Sequence, residues 1–204
     1  MSDEPDRNSP HYANRTDVKF DDATSDALAN ACRNTARDLR DKIPNQSSKA
    51  EIAQANFKGY FSELYKNNIR IAVKNGNEIA DILDQLATAV DNLKEAAHKE
   101  QKAREDARHY EDDWFGFFKS WDNFWGSAPK LPDPYIPYTA IKEPQPEQRN
   151  HPAQGGPGSG SGSAKDTSSA KPSDLRESAN ASHQLFEDFR NIPGDIRAKA
   201  ARFK

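Results

Sequence analysis

The chain is short of several things, and each shortage removes a class of function. One cysteine, Cys32, stands among 204 residues, so no disulfide can form within the chain. That fits a cytosolic protein, and equally one exported by a route that needs no disulfides. Hydrophobic residues make up 34% of the chain and charged residues 30%. A chain this polar cannot bury most of its length. Either a thin core is enough, or apolar stripes are covered by a partner. The first twenty residues contain no apolar core for a secretory signal. No uncharged apolar stretch is long enough to span a bilayer. The formal net charge of -3 is not that of a general nucleic-acid binder.

Chemistry-bearing patterns are scarce as well. The five histidines are His11, His98, His109, His151 and His183, and none lies three or four residues from another. A helical two-histidine metal site is therefore excluded. His109 and Asp113 form an i,i+4 pair, which reads as a solvated helix face rather than a metal site. Cys32 lies on an apolar stripe and reads as core. The glycine-rich run at 155–162 lacks a flanking strand and helix and a Gly-Lys-Ser/Thr, so it is a linker and not a phosphate loop. The carboxylates are interspersed with lysine and arginine on polar faces, which offer no burial to shift a pKa. No enzyme, cofactor or metal is expected.

What the sequence does have is helical periodicity. Residues 1–20 are polar and carry Pro5 and Pro10, the composition of a disordered arm. From 22 to 43, Leu28, Cys32, Thr35, Leu39 and Ile43 recur at spacings of three and four. Pro44 is expected to end that helix. Ser48 with Glu51 forms a capping box for a new one, whose first apolar positions are Ile52, Phe57, Tyr60, Phe61 and Leu64. A longer stripe follows: Phe61, Leu64, Ile71, Ala72, Ile79, Ile82, Leu86, Val90, Leu93 and Ala97. It predicts a helix from about residue 60 to past 110. Asn68 and Asn75 interrupt it, as register-setting polar residues do in helical seams. Gly76 is its weak point, costing about 1 kcal/mol relative to alanine.

Beyond residue 98 the stripe fades into a polar extension, and then aromatics crowd together. Trp114, Phe117, Phe118, Trp121 and Trp125 share one helical face. This cluster reads first as internal packing, second as a partner-docking surface and third as a membrane contact. The last is disfavoured by Glu111, Asp112, Asp113 and Asp122 nearby. Residues 129–172 are rich in proline, then in glycine and serine, and read as a disordered linker. Residues 173–204 predict a short helix from 173 to 191 carrying Leu175, Leu185, Phe186 and Phe189. Pro193-Gly194 breaks it before a basic tail.

The expected fold is thus all-α: a long antiparallel helical hairpin over 21–128, with a disordered arm before it and a Pro/Gly/Ser-rich tail after it. The helix at 22–43 is too short to cover the long stripe. Phe61, Leu64, Ile71, Ile79, Ile82, Leu86, Val90 and Leu93 are therefore the candidate partner interface, for a second copy or another helical protein.

Phe57-Lys58-Gly59, followed by Phe61 and Leu64 and the long stripe, resembles the Trp-x-Gly helical-hairpin superfamily of type VII (ESX) secretion substrates. The likeness is nearest to the variant heading actinobacterial secreted and polymorphic-toxin proteins, and it covers roughly residues 20–112. Phe57 stands where that family has tryptophan. The resemblance implies a turn at Phe57 and Gly59 and pairing with a partner hairpin. It also implies export by the type VII machinery without a signal peptide, and no catalysis in this region. The family's export motif places an acid four residues after a tyrosine, whereas Tyr110 is followed at that spacing by Trp114. Export would then draw on a partner's signal. Two other readings stand beside it: a cytoplasmic coiled-coil adaptor that is not exported, and a membrane-active effector that uses the aromatic cluster.

Overall fold

The computed structural model describes residues 17–117, 141, 144–149 and 169–202. Among these the chain is all-α, with four helices and no strand: α1 (Asp22–Ala55), α2 (Tyr60–Phe117), α3 (Pro172–Phe189) and α4 (Ile192–Arg202). Helices α1 and α2 form the antiparallel hairpin. Helices α3 and α4 return along α1.

Helix α1 begins where Asp21 can cap it. The Asp21 carboxylate accepts from the backbone N–H of Ala23 at 2.9 Å and of Thr24 at 3.4 Å, and Asp22 adds negative charge to the first turn. The helix does not stop at Pro44, contrary to the expectation from sequence, but runs on to Ala55 with Pro44 inside it. Ser48 and Glu51 are exposed mid-helix residues, not a cap. The physical reason lies in the buried positions. Ser25, Cys32, Leu39, Gln46 and Ala53 recur every seventh residue, as do Ala29, Ala36, Ile43 and Ala50. This double heptad passes through Pro44 without a change of register, so packing on both sides holds the helix together across the missing N–H.

The turn is short. Asn56 ends α1, and Gly59 has a φ of 94°, a left-handed conformation that costs a residue with a Cβ. Ser62 closes the turn, its N–H donating to the Gly59 carbonyl at 3.0 Å and its hydroxyl to the Phe57 carbonyl at 2.6 Å. The Phe57 ring packs edge-on to Tyr65, with centroids 6.0 Å apart.

Two apolar clusters join the hairpin. One gathers Leu28, Ala29, Cys32, Ala87 and Val90, with Leu83, Leu86 and Ile196 against it. The other gathers Ala36, Leu39, Ile43 and Ala80, with Val73, Leu83 and Phe189. The seam is built largely of small residues, which lets the helix axes come close. At Gly76 the Ile43 side chain fills the space of a side chain: a Cβ there would lie 2.6 Å from Ile43 Cδ1. Glycine in the middle of α2 is thus the residue that makes room for α1.

Polar and charged contacts flank the seam in antiparallel register. Asp22 meets His98 and Asp26 meets Lys94, each at 2.8 Å; Arg33 meets Asp91; and Arg40 meets Asp84 at 2.6 Å and Asp81 at 2.7 Å. The hydrogen bond to Asp26 holds the Lys94 ammonium above its ordinary pKa, and Asp81 does the same for Arg40. Residues 17–20, within the arm expected to be disordered, follow α2 beyond the start of α1. The Val18 N–H donates to Gln101 at 2.7 Å, Arg108 pairs with Asp17 at 2.6 Å, and Phe20 packs edge-on to His98.

Candidate binding faces of the hairpin

Helix α2 buries a row of mostly small apolar residues against α1 and carries larger, more exposed apolar residues along the border of that row. Val73, Ala80 and Ala87 recur every seventh residue, as do Gly76, Leu83 and Val90; these line the α1 side. The eight candidate interface residues divide accordingly. Val90 is 6% exposed and belongs to the α1 cluster, with Leu86 packed against it. Val90 is therefore part of the hairpin's own core and Leu86 is partly buried against it, although Leu86 falls midway between Ile79 and Leu93 at the same heptad position. Phe61, Ile79 and Leu93 are 48%, 47% and 38% exposed. They are 18 and 14 residues apart, five and about four turns, so they share one face. Leu64 and Ile82 are half-buried beside them.

Ile71 is buried to 1% exposure but belongs to neither α1 cluster. Its neighbours Arg70, Lys74 and Asn75 hold a segment from the expected linker. The Asn75 carboxamide donates to the Glu147 carbonyl at 3.0 Å and accepts from the Glu147 N–H at 3.1 Å. The Glu147 carboxylate takes Lys74 at 2.8 Å and Arg70 at 3.1 Å, and the Gln145 N–H donates to Glu78 at 3.3 Å. The hydrogen bond from Lys74 is the main cause holding the Glu147 carboxyl below its usual range. Asn75, expected to set register in a helical seam, instead binds a stretch of backbone.

The other side of α1 receives α3 through polar contacts. Gln46 donates to Ser182 at 3.0 Å and, just past the end of α1, Asn56 donates to Asp174 at 3.0 Å, while Tyr65 of α2 meets Ser178. Lys42 pairs with Asp188 at 2.7 Å and Lys49 with Glu177 at 3.0 Å. Asp174 and Ser178 are the buried residues of α3, and both are polar. Phe189 and Ile196 supply its apolar anchors and those of α4. The Lys58 N–H also donates to the Ser169 carbonyl at 2.9 Å, which joins the hairpin turn to the chain entering α3. Pro193 and Gly194, read as a break, lie inside the first turn of α4; the break between α3 and α4 falls just before them, at Arg190 and Asn191.

The turn residues Phe57 and Gly59 lie in the α1–α2 connection. Of the aromatic contact surface, Trp114 and Phe117 belong to the last turn of α2. Phe118, Trp121 and Trp125 lie outside the described residues. Cys32 is buried, and burial pushes its thiol pKa up, away from the reactive thiolate. Among the described residues no group of three His, Cys, Asp or Glu side chains could hold a metal, and no helix is long and apolar enough to cross a membrane. No family model, curated protein or solved structure matches the chain.

The linker and α3 contacts were not foreseen from the sequence. They are polar and join residues some 70 to 150 positions apart, such as Asn75 with Glu147 and Lys42 with Asp188. Periodicity has no means of reporting them. The Pro144-Gln145-Pro146-Glu147 run was the one local signal available, since an extended, donor-poor backbone needs partners outside itself.

Proposed function

We propose that the chain works by protein–protein binding, as a type VII secretion-associated helical hairpin that pairs with a second helical protein through the outer face of α2. The observation that carries this reading is the row Phe61, Ile79 and Leu93, large apolar side chains left near half exposed along one side of a long helix. The row spans about 48 Å at 1.5 Å per residue, a length suited to a helix laid alongside rather than to a small ligand. The export half of the proposal rests on the likeness around Phe57 and Gly59. Its support is a hairpin whose turn lies at those residues, with the longer helix second.

Two measurements test the two halves separately. The double variant Ile79→Glu, Leu93→Glu changes only exposed positions, so it keeps the helical circular dichroism and thermal midpoint of the parent. It is expected to lose any homodimer or partner complex seen by sedimentation. An unchanged complex would exclude this face. In the native host, intact protein in the medium that disappears when the type VII ATPase is deleted supports export. Protein confined to the cell pellet in both strains selects the cytoplasmic adaptor, and leaves the pairing face to be judged by the first experiment.

A further inference from the structure

The contact between α2 and residues 144–147 has the logic of peptide recognition. Pro144 and Pro146 have no backbone N–H, so the only amide donors of this four-residue run are Gln145 and Glu147. Both are taken by α2, through Glu78 and Asn75. Gln145, standing before a proline, is held extended, so no local turn competes for these groups. The Asn75 carboxamide faces the Glu147 peptide group with a donor and an acceptor together, as a neighbouring strand would. Arg70 and Lys74 then read the carboxylate, and buried Ile71 lies between them in sequence. Arg70, Lys74 and Glu78 are spaced by four and so share one ridge of the helix. The chain contains a second Pro-x-Pro, Pro132-Asp133-Pro134, but Tyr135 follows it where the bound run has Glu147.

We propose that the ridge of Arg70, Lys74, Asn75 and Glu78 is a reading site for extended Pro-x-Pro-Glu peptides, which the chain fills with its own residues 144–147. The site adjoins the Phe61, Ile79 and Leu93 row, Asn75 lying one turn before Ile79, but it is made by different side chains. The tethered segment competes as an internal ligand. A Pro-x-Pro-Glu segment on another protein, or on a second copy, enters when it outcompetes that tether.

The test uses the full chain and a fluorescein-labelled, amidated peptide Pro-Gln-Pro-Glu-Gln-Arg, followed by anisotropy. Glu147→Lys places a cation against Arg70 and Lys74, which frees the site; this variant is expected to bind the peptide saturably. The wild-type chain should bind at least about tenfold more weakly, because its own segment competes. Adding Asn75→Leu to Glu147→Lys should cost at least about tenfold in affinity by removing both backbone hydrogen bonds. The peptide with lysine in place of glutamate should not bind. In the wild-type chain, amide exchange at Gln145 and Glu147 should be slowed, and Asn75→Leu should release Glu147. The proposal is overturned if Glu147→Lys shows no binding at about 1 mM peptide, or if Asn75→Leu leaves its affinity unchanged. Equal binding by wild type and Glu147→Lys would overturn the internal-ligand claim.

Discussion

Helix α1 has two partners, and it meets them in different ways. Towards α2 it presents Ala29, Cys32, Ala36, Leu39 and Ile43, a dry seam of small and aliphatic side chains with the ion pairs at its rim. Towards α3 it presents Lys42, Gln46, Lys49 and Asn56, whose partners are polar. The first contact rests on apolar burial, which is strong in sum and is not screened by salt as charge pairs are. The second rests on one apolar anchor, Phe189, and otherwise on hydrogen bonds and exposed ion pairs, each worth about 1 kcal/mol or less and screened by salt. One helix thus holds a permanent neighbour on one side and a separable one on the other.

Four experiments break or sharpen this contrast. The largest effect is expected from Ala80→Asp, which places an unpaired charge in the α1–α2 seam where Ala80 is fully buried. It should cost at least about 3 kcal/mol and lower the cooperative melting of the whole hairpin by calorimetry. A charge at exposed Ile79, one position round the helix, should leave the melt unchanged. Pro44→Ala comes next and has the opposite sign. It restores an N–H to the helix interior at an exposed site, so stability to urea should rise by about 1–3 kcal/mol. A loss instead would mean that α1 needs a bend at Pro44 to reach both neighbours.

Gln46→Leu should act on one side only. Removing the donor to Ser182 costs about 1 kcal/mol at the α1–α3 contact. Amide exchange should speed up in α3 and remain as it was in α1 and α2. Equal acceleration in all three helices would show that α3 and the hairpin open as one unit. The smallest effect is that of acid. The hydrogen bond from Lys42 is the main cause depressing the folded pKa of Asp188, with Gln184 second; for Asp174 the main cause is Lys171. Their ionised forms favour the folded state, so this stability is present above the ordinary aspartate range and is lost as pH falls below about 4 towards the folded values. Amide exchange at decreasing pH, corrected for intrinsic rates, should show α3 released before α1 and α2 part.

Much of the architecture was legible in the residues. The spacing of Leu28, Cys32, Thr35 and Leu39 marks the buried side of α1, and the unbroken stretch after Gly59 marks α2. Gly59, with its positive φ, stands where the Phe57-Lys58-Gly59 motif puts the turn. Pro44 misled because a local rule was applied where a nonlocal one prevailed: buried positions in register on both sides outweigh one lost hydrogen bond. The candidate interface was only partly legible for a related reason. Large side chains dominate any hydrophobic pattern, so Phe61, Ile79 and Leu93 stood out, whereas the seam that α1 occupies is made with Gly76, Ala80 and Ala87. Small residues give a weak pattern but permit the closest approach, and close approach is what the hairpin needs.

The sequence by itself determined that the protein is helical and polar, because helical period, turn glycine and composition act over a few residues or over the whole chain. Tertiary structure alone decided which apolar residues of α2 are buried against α1 and which stay partly exposed. It also decided that α3 closes on α1, and that Asn75 meets the backbone of Glu147. These outcomes depend on the fit of surfaces and on hydrogen bonds between residues far apart in the chain, and no local pattern encodes either.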